Sequence, residues 1–285
     1  MTLNIEQFKP WINKSEQDQE ELSLWPVHNM MAALDVNPSQ WPTIGDDLPA
    51  TAHWNYFVPR VVQSKIDVDG HPVRGDFLPP IPLPRRMWAG SRIQYHQPMK
   101  MGQTIQKTST IKDIKIKEGK SGSLAFVTVK HEYQNSSGLA LTEEQDLVYR
   151  DPPPSMTSIP ERNPAPTPAQ WTQSVATSTP LLFRYSSVTF NAHKIHYDEP
   201  YAKEVEGYPG LVVHGQLIAT FLLQSLQQAH PEKTLASFNF KAVSPLFCGE
   251  TLQAQGALSP EGADLWACTD QGGLTMQANV TWQSK

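Results

Sequence analysis

Two histidines, an amide and a carboxylate crowd into one short run, Phe190-Asn191-Ala192-His193-Lys194-Ile195-His196-Tyr197-Asp198. A glycine-bracketed segment follows, Gly207-Tyr208-Pro209-Gly210-Leu211-Val212-Val213-His214-Gly215, and an apolar stretch begins directly after it. Histidine titrates near neutrality and suits proton transfer. An amide orients water without taking its proton. Asn191 lies five residues before His196, a spacing that sets the two on opposite lips of one turn, where both can address a single water. His214 and Gly215 open the apolar stretch, and a glycine N–H at a helix N-terminus is a donor for a developing oxyanion. A base (His196), a water-positioning amide (Asn191) and an oxyanion donor (Gly215, with His214) fit addition of water to an α,β-unsaturated thioester, or the reverse. The oxyanion is then the enolate on the thioester oxygen. Asp198 precedes Glu199-Pro200 and suits a helix N-cap.

These residues need elements to position them. Leu217, Ile218, Phe221, Leu222, Leu223 and Leu226 recur at helical spacing, and Pro231 stops the helix they predict over 214–229. A helix this apolar must be covered. Phe183–Phe190 is expected as a strand and Tyr201–Val205 as a short helix. Strands are predicted over Thr108–Ile116, Leu124–Tyr133 and Leu139–Tyr149, with a Gly119–Gly122 turn between the first two. Others are predicted over Thr251–Leu258, Asp264–Thr269 and Thr275–Trp282. The last alternates strictly, with Met276, Ala278, Val280 and Trp282 on one face.

The two groups of strands share a signature. Pro98, Gly102 and Thr104 stand at the same offsets as Pro245, Gly249 and Thr251, each set between extended runs. That implies an internal repeat. Between the copies lie Pro152, Pro153, Pro154, Pro160, Pro164, Pro166 and Pro168, among Ser, Thr and Ala. Such a segment forms neither a helix nor an inner strand. The expected organisation is a first domain over 1–150, a Pro-rich linker over 151–175 and a second domain over 176–285. Each domain is an antiparallel sheet wrapped on a helix. In the first, Val27–Leu34 and Trp54–Val62 are poor candidates for that helix, so its central helix is expected to be degraded.

Composition narrows the function. The 285 residues carry a net charge of −5 with mixed signs and no basic stripe, which argues against nucleic acid. The two cysteines, Cys248 and Cys268, have no metal-ligand spacing. They suit free thiols in a reducing compartment. No apolar run approaches the ~20 residues of a membrane span. The residues from Met1 to Trp11 lack a secretory h-region. A soluble cytoplasmic protein is expected, with no membrane partner, no metal and no cofactor. Glu118-Gly119-Lys120-Ser121 lacks the first glycine of a phosphate loop, since Ile114 stands there.

The frame Asn191-Ala192-His193-Lys194-Ile195-His196, followed by Pro209-Gly210-Leu211-Val212-Val213-His214-Gly215, resembles the MaoC-like or hydratase-2 group of hot-dog folds. The resemblance implies an α+β double hot-dog and a cofactor-free acyl-CoA hydratase or dehydratase. It places the family's catalytic histidine on His196. The family's catalytic aspartate falls on Asn191, a departure that leaves three options. His196 carries proton transfer with Asn191 holding the water, a carboxylate arrives from elsewhere, or the site is dead.

The same departure, with Phe77 to Arg92 and Glu144 to Arg150, is similar to a two-hot-dog branch of methylfumaryl-CoA and itaconyl-CoA hydratases. That branch implies a C5 dicarboxylic acyl-CoA. Mitochondrial-type 3-hydroxyacyl-thioester dehydratases look similar too, so a fatty-acyl substrate stays open. Arg86 and Arg92 sit near Trp88 and are candidates for CoA phosphates or a substrate carboxylate, because guanidinium matches carboxylate geometry. Lys194 is a candidate for a CoA phosphate. The competing readings are a hot-dog thioesterase, which would need a carboxylate base near the helix where this chain has none between Gly207 and Leu226, and a non-catalytic acyl-thioester binder. A monomer and a homodimer are both compatible with two hot dogs in one chain.

Overall fold

The computed structural model describes residues 3–119, 122–151, 159 and 161–283. Pro152, Pro153, Pro154 and Pro160 of the expected linker lie outside the described residues, as do Lys120 and Ser121 of the expected turn.

The first half of the chain runs β1 (Ser15–Glu21), α1 (Leu24–Ala33), then β2 (Arg85–Tyr95), β3 (Thr104–Gly119), β4 (Gly122–Asn135) and β5 (Gly138–Arg150). The second runs β6 (Trp171–Ala176), α2 (Thr179–Val188), α3 (Gly215–Ala229), then β7 (Leu235–Ala242), β8 (Thr251–Ser259), β9 (Gly262–Thr269) and β10 (Leu274–Trp282). The strands make one ten-stranded antiparallel sheet in the order β1-β3-β4-β5-β2-β7-β10-β9-β8-β6. Read inward from either edge, the two halves have the same order. The expected repeat is therefore present in the topology, and β2 and β7 form its seam, with Ile93 opposite Phe238. Both side chains are buried in the main core. Gly102 and Gly249, the matched glycines of the signature, both adopt positive φ (85° and 96°) just before β3 and β8. Only glycine takes that turn without strain, which explains why the signature survives in both copies.

The sheet wraps the apolar helix as expected. In α3, every residue from Leu217 to Leu223 is buried. At the matching place in the first half stands a single buried 3-10 turn, Ala52–Asn55. The first-half helix is thus degraded, and Thr51 Oγ1 just before this turn donates to Thr220 Oγ1 on α3 (3.1 Å). Together the halves form a double hot-dog, α+β in class. Val27–Leu34 largely coincides with α1, but α1 packs on α2 rather than filling the sheet.

Two expectations are corrected. Phe183–Phe190 is not a strand: residues up to Val188 belong to α2. The Ser178 side chain caps its N-terminus by accepting from Leu181 N–H (3.4 Å), and Pro180 sits in the first turn. Leu182, Tyr185 and Ser186 then bury at helical spacing, which the aromatic and β-branched residues had masked. The linker also ends early, because Trp171–Ala176 pairs with β8 as the sheet's edge strand.

Candidate active site

The chain leaves α2 through Phe190, held at φ 48°, so the polar run follows a helix rather than a strand. Asn191 N–H donates to the Ser186 carbonyl (2.8 Å). Its side-chain Oδ1 accepts from His193 N–H (3.0 Å). The amide thus holds the turn in place. A short 3-10 helix, Lys194–His196, carries His196 inward to 8% exposure. Asp198 has its expected capping role: its Oδ1 accepts from Tyr201 N–H (3.1 Å).

His196 Nδ1 lies 2.7 Å from the Val212 carbonyl. A carbonyl only accepts, so Nδ1 carries the hydrogen and Nε2 keeps its lone pair. Burial pushes the His196 pKa down to about 4, against the pull of that hydrogen bond. The ring is therefore neutral at pH 7, in the form a base requires. It stacks on His214, centroid to centroid 3.7 Å. His214 is the residue before α3, and its Nε2 meets Ser186 Oγ at 2.8 Å. Its Nδ1 is buried without a protein partner. Burial, then His196 and His193, hold His214 well below the usual histidine range. Gly215 begins α3, and the first N–H groups of a helix have no acceptor within it. They and the orphaned Nδ1 occupy the mouth of the helix together.

His193 meets His196 edge to face at 5.5 Å and stands 4.1 Å from His71. His71 and Asp69 come from the first half. Asp69 accepts from His71 twice, at the backbone N–H (2.8 Å) and at Nδ1 (2.9 Å). Burial opposes the Asp69 charge, but the bonds and charge of His71 outweigh it and hold the carboxyl well below its usual range. Burial pushes His193 and His71 downward, the former aided by His71 and the latter by Arg86. Ligand atoms of Asp69, His71 and His193 lie within 4.8 Å of one another, donor types that also suit a divalent cation. Here Asp69 and His71 face each other at hydrogen-bond distance as a carboxylate–imidazole pair.

The turn carrying Asp69 is fitted to the second half. Lys194 N–H donates to the Asp69 carbonyl (2.9 Å). Gly70, at φ 95°, lies so close that a Cβ there would fall 1.7 Å from the Ala192 carbonyl oxygen. Sequence reasoning missed Asp69, His71 and Ser186. Asp69-Gly70 is a visible turn signal, but nothing local says that this turn docks against His193.

The arginines separate. Arg86, Arg85, Asp69, His193, Glu206 and Tyr208 line one narrow cavity. Arg85 pairs with Glu206 (2.5 Å) and lies over the Tyr208 ring. Arg86 has no ion-pair partner among the described residues. Arg92 is on the outer sheet face, paired with Asp146 (2.5 Å) and Glu144 (3.3 Å). It lines a larger open groove that holds no histidine, so it stands apart from the cluster it was expected to serve. Lys194 stacks its ammonium over Tyr201 (4.9 Å). No described helix is long and apolar enough to cross a membrane.

Residues 51–248 match the family described as hydroxyacyl-thioester dehydratase type 2. The chain belongs to that family. It is therefore an enzyme of the hydro-lyase class. It is 42% identical to a mesaconyl-C(4)-CoA hydratase of Chloroflexus aurantiacus, over 95% of this chain and 96% of that one. It is 28% identical to a mitochondrial hydroxyacyl-thioester dehydratase type 2 of Schizosaccharomyces pombe, over 70% and 75% of the two chains. In fold it is similar to HtdX of Mycobacterium tuberculosis, with TM-score 0.70, 16% identity and coverage of 95% and 100%. A second protein of that organism, described as a double hotdog, aligns with TM-score 0.58 and 12% identity over 95% and 96% of the chains.

Proposed function

We propose that this protein reversibly adds water across the C=C bond of a C5 dicarboxylic acyl-CoA, 3-methylfumaryl-CoA or itaconyl-CoA. The observation that carries the reading is the His196 imidazole, neutral and fixed in tautomer, stacked on His214 at the N-terminus of α3. His196 takes the water proton as oxygen bonds to the β carbon. Negative charge moves to the thioester oxygen, where the Gly215 end of α3 stabilises it. The enolate then takes a proton at the α carbon.

Arg86 is the cation for the distal carboxylate, because it borders the cavity beside His193 and has no described ion pair. Lys194 is the candidate for a CoA phosphate. Asn191 acts on the water through the turn it holds, since its Oδ1 is engaged by His193 N–H. The second half carries the chemistry and the first half shapes the acyl pocket, in line with a division near residues 150 and 176. The relative named as a mesaconyl-C(4)-CoA hydratase supports a dicarboxylic substrate.

The test is a panel of crotonyl-CoA, 3-methylfumaryl-CoA and itaconyl-CoA, followed by loss of enoyl-thioester absorbance and by product mass. Hydration confined to the dicarboxylic thioesters is expected. Hydration of crotonyl-CoA alone would move the substrate to the fatty-acyl side. Release of free CoA would replace the reaction with thioester hydrolysis.

A further inference from the structure

We propose that Asp69 is the carboxylate of this active site, delivered by the first half in place of the one missing at Asn191. It acts through His71 and His193 as a positioning residue. This rests on the hydratase reading above.

Four imidazoles run in a row: His71, His193, His196 and His214, with successive centroids 4.1, 5.5 and 3.7 Å apart. Ser186 Oγ closes the row at one end and the Asp69 carboxylate at the other. Asp69 is the one acidic side chain bonded to the row among the described residues. Its two bonds to His71 fix that ring in one tautomer, with Nδ1–H toward the carboxylate. His71 lies against His193, whose backbone the Asn191 amide holds from the other side. Asn191 therefore keeps the place of the family's aspartate, while a carboxylate reaches the row by another route.

The need for a negative charge follows from the reaction. The water O–H bond breaks, oxygen bonds to the β carbon, and the proton goes to His196 Nε2. The electron pair of the C=C bond ends on the thioester oxygen. His196 is briefly an imidazolium in a site whose burial disfavours that charge. It gives the same proton to the α carbon as the enolate collapses, so water is consumed and the enzyme is restored. A fixed carboxylate stabilises an imidazolium that forms and disappears within the cycle, without being protonated itself. His193 stands between the two and transmits both the orientation and the charge.

The docked turn makes the site composite. The Asp69 carbonyl is tied to Lys194 N–H, and Gly70 alone allows the approach to Ala192. The two halves thus jointly build one catalytic centre.

The experiment measures kcat and KM of D69N, D69E, H71N and the double variant D69N/H71N, each with its unfolding midpoint. The substrate is whichever enoyl-CoA the wild type hydrates. D69N is expected to lower kcat by about 10- to 100-fold with KM within twofold. D69E should recover part of that loss. H71N should match D69N, and the double variant should be no worse than either, because the two act as a unit. Gly70→Ala should reproduce the kcat loss by lifting the turn, and it serves if D69N does not fold. Wild-type kcat in D69N or H71N would overturn the proposal, as would a loss confined to KM. Loss of wild-type activity on chelation would also overturn it, since the triad would then be holding a metal. A wild type that hydrates no thioester defeats the functional reading itself, which separates the two failures.

Discussion

The molecule holds two buried histidine–carboxylate arrangements, one within the first half and one shared between the halves, and the two are opposites. In the first half, Glu143 on β5 is 1% exposed. It accepts from Ser91 Oγ (2.6 Å), Trp54 Nε1 (3.1 Å) and His53 Nε2 (3.1 Å). Burial opposes its charge, but His53, His131 and Ser91 outweigh it and bring its pKa to about 2. Its two oxygens are filled by these three donors. Around the second-half polar run, His196 keeps a free lone pair, His214 Nδ1 is an orphan, and Arg86, supplied by β2 of the first half, borders a cavity with no ion pair among the described residues. Filled valences close a buried polar cluster into structure. Unfilled ones leave it able to act on a ligand. The missing helix in the first half fits this: Ala52–Asn55 supplies His53 and Trp54 to the Glu143 cluster, whereas α3 presents a whole helix N-terminus to the reaction.

The comparison breaks first at His196 and Glu143. H196N should lower turnover by about 10²- to 10⁴-fold, the range for loss of a general acid–base group, with the fold retained. Steady-state kinetics beside a circular dichroism melt measures both. E143Q should do the reverse. Removing a buried carboxylate that satisfies three donors costs about 1–3 kcal/mol of stability, readable in denaturant unfolding, while turnover per folded molecule stays at the wild-type value. R86A sharpens the side of the histidine row. A charge-assisted hydrogen bond contributes about 1.5–3 kcal/mol, so kcat/KM for a dicarboxylic thioester should fall about 10- to 100-fold. A thioester without the distal carboxylate should not feel the change.

Acid should also distinguish the halves. His196 and His131 are buried with pKa values lowered to about 4 and about 3. Their neutral forms add stability that is complete above the unfolded histidine value and is lost as pH falls through the folded one. Stability should therefore decline from about pH 6.5 downward. H196N should flatten the decline between about pH 6.5 and 4, whereas E143Q, less stable throughout, should lose the pH dependence that Glu143 contributes below about pH 4.5, where it protonates in the unfolded chain. The smallest effect belongs to R92A. Its ion pairs are half exposed on the outer face, where such pairs contribute about 0–1 kcal/mol, and turnover should not change.

Much of this was legible in the residues because it is local. The alternation of Thr275–Trp282, the apolar spacing through Leu217 and Leu226, and the matched Gly102 and Gly249 each report on their own neighbourhood. So does Asp198 as a cap. Two kinds of feature were not legible. One was a helix whose surface pattern imitates a strand: α2 is identified by Ser178 and Pro180 at its start, not by Phe183 to Phe190. The other was contact across the chain. Nothing near Asp69 or His71 announces His193, and Arg86 and Arg92, six residues apart and so on one face by simple alternation, are sent to different surroundings by the register shift between Trp88 and Gly90.

The central claim is that His196 acts while His53 holds. The most direct measurement is turnover per folded molecule for H196N and H53N side by side, on an enoyl-CoA that the wild type hydrates, with the folded fraction fixed by calorimetry. The account predicts loss of turnover in H196N at a near wild-type melting temperature, and wild-type turnover in the folded fraction of a less stable H53N. Wild-type turnover in H196N, or an equal loss in folded H53N, would contradict it.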